Sequence, residues 1–222
     1  MRRIGHRGAA GHAPENTPEA FAVAAALGCD AVETDVWLVD GRLVVAHDRP
    51  EEVEAALRLD RTLELCRGLD LGVIVEVKAA DGLAAERTGT AAGALIAAFG
   101  DRRISVSSFH WEALEAAGRA APDVARAILY SDTPEPDAIV ARANAAGLRA
   151  LHPRVDRADA ALVRRAHARG LEVYVWTVND AAEVARCAAL GVDGIMSDYP
   201  ELVPASDVAQ PRARSTARDQ PA

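Results

Sequence analysis

"GLEVYVWTVNDAAEVARCAALGVDGIMS", residues 170–197, is the stretch whose reading decides the architecture. A glycine opens it, and a short apolar and β-branched run follows over Glu172–Thr177. An Ala-rich amphipathic stretch, Ala181–Leu190, comes next and stops at Gly191, and Asp193–Met196 is apolar again. A short apolar run suits a buried parallel strand, the longer stretch suits a helix, and glycine suits the left-handed cap between them. The segment is a strand–helix–strand unit.

Outward from it the same unit recurs. Further strands are predicted at Arg3–His6, Ala31–Asp35, Leu43–His47, Gly72–Val77, Ile104–Ser107, Ala127–Tyr130 and Arg149–Leu151. Further helices are predicted at Pro18–Leu27, Gly82–Phe99, Trp111–Ala120, Pro136–Ala146 and Asp159–Ala168, and Gly28, Gly147 and Gly170 repeat the cap at Gly191. Strands alternating with helices imply a parallel sheet covered by helices, and eight of these strands fit a (β/α)₈ TIM barrel near the small end of its size range. The remaining strand, Leu43–His47, follows Asp40-Gly41, a hairpin turn signal, and reads as an extra strand after barrel strand 2. An open doubly wound sheet is the alternative fold, and the glycine fingerprint it would carry after strand 1 is missing. Residues 1–203 are expected to form the barrel; residues 204–222 lose all periodicity and are expected to be a disordered tail.

Composition narrows the function. The chain has 222 residues, 50% hydrophobic and 26% charged, with a net charge of −8. That charge, with no basic block against it, argues against nucleic acid as a partner. Aromatics are only 4%, so the core must be built from Ala, Val, Leu and Ile. Cys29, Cys66 and Cys187 are scattered and read as reduced thiols. No apolar run is long enough to span a bilayer, and no leader precedes the first strand, so a cytoplasmic location is expected.

In such a barrel the chemistry sits at the C-terminal ends of the strands. His6-Arg7, Glu33-Thr34-Asp35, His47-Asp48, Glu76-Val77-Lys78, Ser107-Ser108, Tyr130, His152, Trp176 and Ser197-Asp198 all fall there. Glu33 and Asp35 point to one face of a strand because side chains alternate. Glu76, at the matching level of the next barrel strand, can join them. Three carboxylates in one pocket repel unless a cation sits among them, and an oxygen-only set favours Mg²⁺ or Ca²⁺, with Mn²⁺ a further option. His6 and His47 are the natural proton-transfer pair. His6 directly precedes Arg7, placed on the phosphate, while His47 reaches in from the added hairpin, which favours His47 as base and His6 as acid. Arg7 and Lys78 supply fixed positive charge suited to phosphate oxygens. Thr17-Pro18 reads as a helix cap, whereas Glu15, Asn16 and His12 could face the site; His110 and His167 read as surface residues. Spacing leaves Trp176 open between pocket wall and core.

These residues carry a family resemblance. His6-Arg7-Gly8, Pro14-Glu15-Asn16-Thr17, Glu33-x-Asp35, Asp40-Gly41 with Val44-Val45-x-His47-Asp48, and Glu76-x-Lys78 together resemble the glycerophosphodiester phosphodiesterases. Ser107-Ser108-Phe109, Trp176-Thr177-Val178-Asn179 and Gly191 through Pro200 are similar to its later blocks. The resemblance implies a barrel, a divalent metal on Glu33, Asp35 and Glu76, catalytic His6 and His47, phosphate contacts from Arg7 and Lys78, and a substrate-pocket role for Trp176. It implies hydrolysis of a small glycerophosphodiester to sn-glycerol 3-phosphate and an alcohol, with a lysophospholipase D acting on lysolipids as the alternative. A barrel that binds without turnover and a metal-free sugar-phosphate isomerase are the readings from other classes. The chain departs from the family at Arg49–Leu71, where members carry a sizeable insertion; an open mouth with weak head-group selection is expected. Oligomeric state is not legible.

Overall fold

Valine occupies every second position of Val73–Val77, and that alternation sets up the molecule. In the computed structural model, which describes residues 1–54, 56–132 and 135–205, Val73, Val75 and Val77 pack outward into the shell shared with the helices. Ile74 points the other way and joins Ile4, Ala31, Tyr174 and Met196 inside the sheet. The period of two puts one face of each strand in each layer.

The strands are β1 (Arg2–Gly5), β2 (Ala31–Val39), β3 (Arg42–Val45), β4 (Leu57–Arg58), β5 (Gly72–Val77), β6 (Ile104–Ser108), β7 (Ala125–Tyr130), β8 (Ala150–Pro153), β9 (Glu172–Val175) and β10 (Gly194–Ser197). The helices are α1 (Pro18–Ala26), α2 (Leu59–Gly68), α3 (Gly82–Phe99), α4 (Trp111–Ala120), α5 (Pro136–Ala145), α6 (Ala160–His167) and α7 (Ala181–Leu190). Parallel pairing runs β1-β2-β5-β6-β7-β8-β9-β10 and closes back on β1. This is the expected (β/α)₈ barrel.

The hairpin also matches expectation. β2 is 9 residues long, so its lower part pairs with β1 and β5 while Val36–Val39 runs on to pair antiparallel with β3. Asp40 (φ 49°) and Gly41 (φ 75°) make the turn with both central residues left-handed, the geometry that matches strand twist. Within Arg49–Leu71, Thr62-Leu63-Glu64 resembles the helix leading into the third barrel strand and lies in α2, while β4 is an addition that the sequence did not signal. β4 adds to β3, and α2 buries Leu59, Leu63 and Cys66 at helical spacing. The β4 strand is too short for a periodic signal, which is why it escaped notice. The predicted tail lies outside the described residues from 206 onward.

Helix entries are fixed by side-chain caps. Thr17, Asp81, Asp159 and Asp180 each accept a hydrogen bond from a backbone N–H in the first turn of the helix that follows. These caps stand between each strand and the helix that follows it, on the catalytic-face side. A core poor in aromatics gains density by close approach: a Cβ on Gly89 or Gly93 of α3 would strike the α4 backbone at Ala113 or Ala117. Cys29, Cys66 and Cys187 are free and buried, and burial pushes the Cys29 and Cys66 thiols up to about 12. Among the described residues no helix is long and apolar enough to cross a membrane.

Two rim assignments need correction. His152 points into the barrel, only 1% exposed, its ring stacked on Tyr174 at 5.1 Å. Tyr130 packs in the outer shell with the helices. Alternation turns Tyr130 outward to the helices, whereas His152 faces inward but lines the cavity at the N-terminal ends of the strands. Burial pushes the His152 imidazole down to about 3. Below pH 6.5 the unfolded chain takes up a proton there that the folded chain refuses, so this site lowers stability as pH falls towards 3. The parent should therefore lose about 2 kcal/mol between roughly pH 6.5 and 5 that His152→Leu retains. Denaturant unfolding at the two pH values measures it, and equal slopes would refute it.

Candidate active site

The His6-Arg7-Gly8 turn is shaped by what cannot fit. A Cβ on Gly5 would run into the Gly8 carbonyl, and one on Gly8 (φ 90°) would run into Ala20 of α1. The chain can therefore double back directly after β1, with Arg7 itself left-handed at φ 50°. That fold presents His6 and the Arg7 guanidinium over the barrel. The Arg7 N–H donates to Glu33 Oε2 at 3.1 Å, and the Arg7 carbonyl accepts from the Asn16 N–H at 2.9 Å.

Register brings the carboxylates together. Asp35 on β2 and Glu76 on β5 are direct cross-strand partners, and Glu33 lies two residues earlier on the same face. Glu33, Asp35 and Glu76 are all buried, and each offers an oxygen within 4.8 Å of the others. Lys78 Nζ sits 3.0 Å from Asp35 Oδ1 and 2.8 Å from Glu76 Oε1. Arg7 Nε is 3.3 Å from Asp35 Oδ2, while its Nη1 is taken by Glu15 at 2.8 Å. Asn16 completes the support: its amide N–H donates to Asp35 at 2.9 Å, and its oxygen accepts from the Thr34 hydroxyl at 2.7 Å.

Glu33 is the least compensated. His6 Nε2 lies 3.9 Å from Glu33 Oε2, and Glu33 Oε1 is buried with no hydrogen-bond partner among the described residues. Burial, then Asp35 and Glu76, push its carboxyl well above the usual range. Glu76 is also raised, by burial first and with Lys78 opposing. Hard oxygen donors, surplus negative charge and an orphaned lone pair are together what a divalent cation would relieve. The cluster could hold one.

His6 has a partner that sequence reasoning left without a role. Its Nδ1 lies 2.7 Å from Asp198 Oδ1, just beyond β10. Asp198 is held in turn by Asn179, which donates to Oδ2 at 2.5 Å and accepts from the Asp198 N–H at 2.9 Å. Burial raises the Asp198 carboxyl, but His6 and Asn179 more than offset this and hold it below its ordinary value. With Nδ1 engaged, His6 Nε2 faces the carboxylates.

The remaining predicted residues stand at the margin. His47 lies past the end of β3, its side chain 38% exposed and 3.4 Å from Asp48. It lines a cleft of about 780 Å³ together with Glu15, Asn16, Leu57 and Arg61, so α2 and β4 form a wall beside the mouth. Trp176 is both wall and core: its indole N–H donates to the His152 carbonyl at 2.7 Å, and its ring meets Phe109 edge-on at 5.5 Å. His12 is bound to Glu201 at 3.0 Å, and His167 to Asp193 at 2.8 Å, neither near the cluster. His110 precedes the first turn of α4.

Comparison with known proteins gives the family. The chain matches the model of the glycerophosphoryl diester phosphodiesterase family over residues 6–91 and 76–202. It is 30% identical to the glycerophosphodiester phosphodiesterase of Caldanaerobacter subterraneus subsp. tengcongensis, over 90% of this chain and 95% of that protein. It is 28% identical to that of Bacillus altitudinis, over 88% of this chain and 94% of the relative. A solved phosphodiesterase of Oleispira antarctica, in complex with the product sn-glycerol-3-phosphate, superposes with a TM-score of 0.80 at 26% identity, covering 90% of this chain and 94% of the other.

Proposed function

The chain belongs to the glycerophosphoryl diester phosphodiesterase family and is an enzyme of that class, and from that premise we propose that it hydrolyses a small glycerophosphodiester to sn-glycerol 3-phosphate and an alcohol. One observation carries the reading: a buried oxygen-only cluster lies beside two cations and a carboxylate-oriented histidine on the catalytic face. Glu33, Asp35 and Glu76 would hold a single divalent ion, Mg²⁺ or Ca²⁺, with Mn²⁺ a further option. When bound, the ion supplies Lewis acidity toward a phosphoryl oxygen.

The chain's own residues do the rest. Arg7 and Lys78 bind the non-bridging phosphate oxygens and stabilise the charge that grows there. His47, the more exposed histidine at 38% against 16% for His6, is open to solvent and takes a proton from the attacking water. His6 Nε2 gives a proton to the departing alkoxide oxygen, with Asp198 holding the ring in place. Trp176 and Phe109 form the wall against which the substrate lies.

The test is release of sn-glycerol 3-phosphate from a panel of glycerophosphodiesters, after exhaustive chelation and with Mg²⁺, Ca²⁺ or Mn²⁺ restored. Full turnover in chelator, or none with any of the three, counts against the reading. Asp198→Ala should lower kcat at least about tenfold with KM little changed, because a loosened His6 affects proton transfer more than binding. A change confined to KM would place Asp198 in substrate binding instead.

A lysolipid substrate is a second reading, favoured by one feature. Leu83, Phe109 and Tyr199 are exposed large apolar side chains, and each follows the C-terminal end of a barrel strand. An apolar rim suits a substrate that carries an acyl chain. Adding monoacylated members to the same panel distinguishes the two.

A further inference from the structure

The barrel is hollow at the end away from the carboxylates. A cavity of about 940 Å³ opens at the N-terminal ends of the strands. Ala31, Gly72, Ser105, Ala127 and Ala150 line it, so small residues stand where barrels of this kind usually place branched ones. His152 also lines the cavity, nearly fully buried, and its Nδ1 has no hydrogen-bond partner among the described residues. A neutral imidazole carries one donor and one acceptor, and an unpaired buried nitrogen calls for a polar group from outside the protein. Burial keeps this ring neutral across the physiological range.

The lining is rich in arginine, although the whole chain carries −8. Arg2, Arg102, Arg103, Arg126 and Arg149 line the cavity against two acids, Asp30 and Glu172. Arg103 is occupied by Asp70 and Asp101, and Arg149 reaches Glu172 at 3.4 Å. Arg2 lies 5.9 Å above the Tyr174 ring, and Arg126 donates to the Leu114 and Gly147 carbonyls. Arg102 makes no ion pair among the described residues. Among the described residues, positive charge therefore outweighs negative around an opening whose inner end holds an unpaired nitrogen.

We propose that this cavity is a second ligand site, for a small phosphate- or carboxylate-bearing anion with a compact polar body. The anionic group lies against Arg102 and its arginine neighbours, and the body reaches inward to His152. The site is separate from the catalytic mouth and takes no part in the hydrolysis proposed above.

Titration of the full chain with inorganic phosphate, and separately with sn-glycerol 3-phosphate and with citrate, tests it by calorimetry and by the imidazole resonances. Binding of one of these anions should shift the His152 signal, and joint Arg102→Glu and Arg149→Glu substitution should weaken that event about tenfold or more. The kcat/KM for glycerophosphodiester should stay unchanged in that variant. His152→Phe, which fills the hollow, should abolish the same event; should it fail to fold, the arginine variant decides alone. A His152 signal unmoved by all three anions overturns the proposal. So does a binding event lost in Lys78→Met but kept in the arginine variant, which would locate all binding at the mouth.

Discussion

Glu33→Gln should melt at a higher temperature than the parent in chelator, at a lower temperature in excess divalent metal, and turn over at least about a thousandfold more slowly. The crossover follows from the charge balance. Glu33, Asp35 and Glu76 offer oxygens within 4.8 Å of one another, and among the described residues no lysine or arginine side chain is paired to Glu33. Removing its charge without changing its shape relieves repulsion in the metal-free fold. A relief of about 1 kcal/mol corresponds to roughly 2–4 °C in a chain of this size. Metal reverses the order, because an ion at about a hundred times its Kd adds about 2.7 kcal/mol to a fold that binds it and little to one that has lost a ligand. Asp35→Ala and Glu76→Ala should lose activity comparably, though Asp35→Ala also strands Asn16 and will cost stability under both conditions. A Glu33→Gln protein that melts below the parent in chelator would mean that the three carboxylates are not in electrostatic conflict. Retained turnover in any of the three variants would remove the metal assignment.

The two histidines should separate by leaving group. An alkoxide is a poor leaving group and needs a proton, whereas a nitrophenolate departs without one. His6→Ala should lose about 10²–10⁴-fold on a natural glycerophosphodiester and recover most of it on a nitrophenyl ester. His47→Ala should lose a similar factor on both, since the attacking water must be deprotonated whichever group leaves. Solvent access supports this order: His6 is enclosed between Asp198 and Glu33, while His47 faces the cleft beside α2. Rescue of His47→Ala alone would reverse the assignment. Rescue of neither would mean that both rings position phosphate or metal.

Local chemistry was legible in the chain from the start. Valine alternation, glycine after helix ends and Asp40-Gly41 are statements about backbone dihedrals, which depend on neighbours in sequence. They were enough for the barrel and its hairpin. Glu33-x-Asp35 on one strand face is likewise a local fact, and so is the tight glycine-flanked turn that carries His6 and Arg7.

What the tertiary structure alone decided is who meets whom across strands. Asp35 lies directly opposite Glu76 because of the β2–β5 register, which no single segment encodes. Asp198 reaches His6 across 192 positions because closure of the barrel seats β10 against β1. The inward turn of His152 depends on strand phase: a shift of one residue would have sent it outward to the helices. His47 lines the cleft beside the mouth because β3 ends two residues before it and β4 and α2 build a wall alongside. Dihedral preference is set within a few residues, whereas register and closure are set by the packing of all eight strands at once, and the site is made where those strands end.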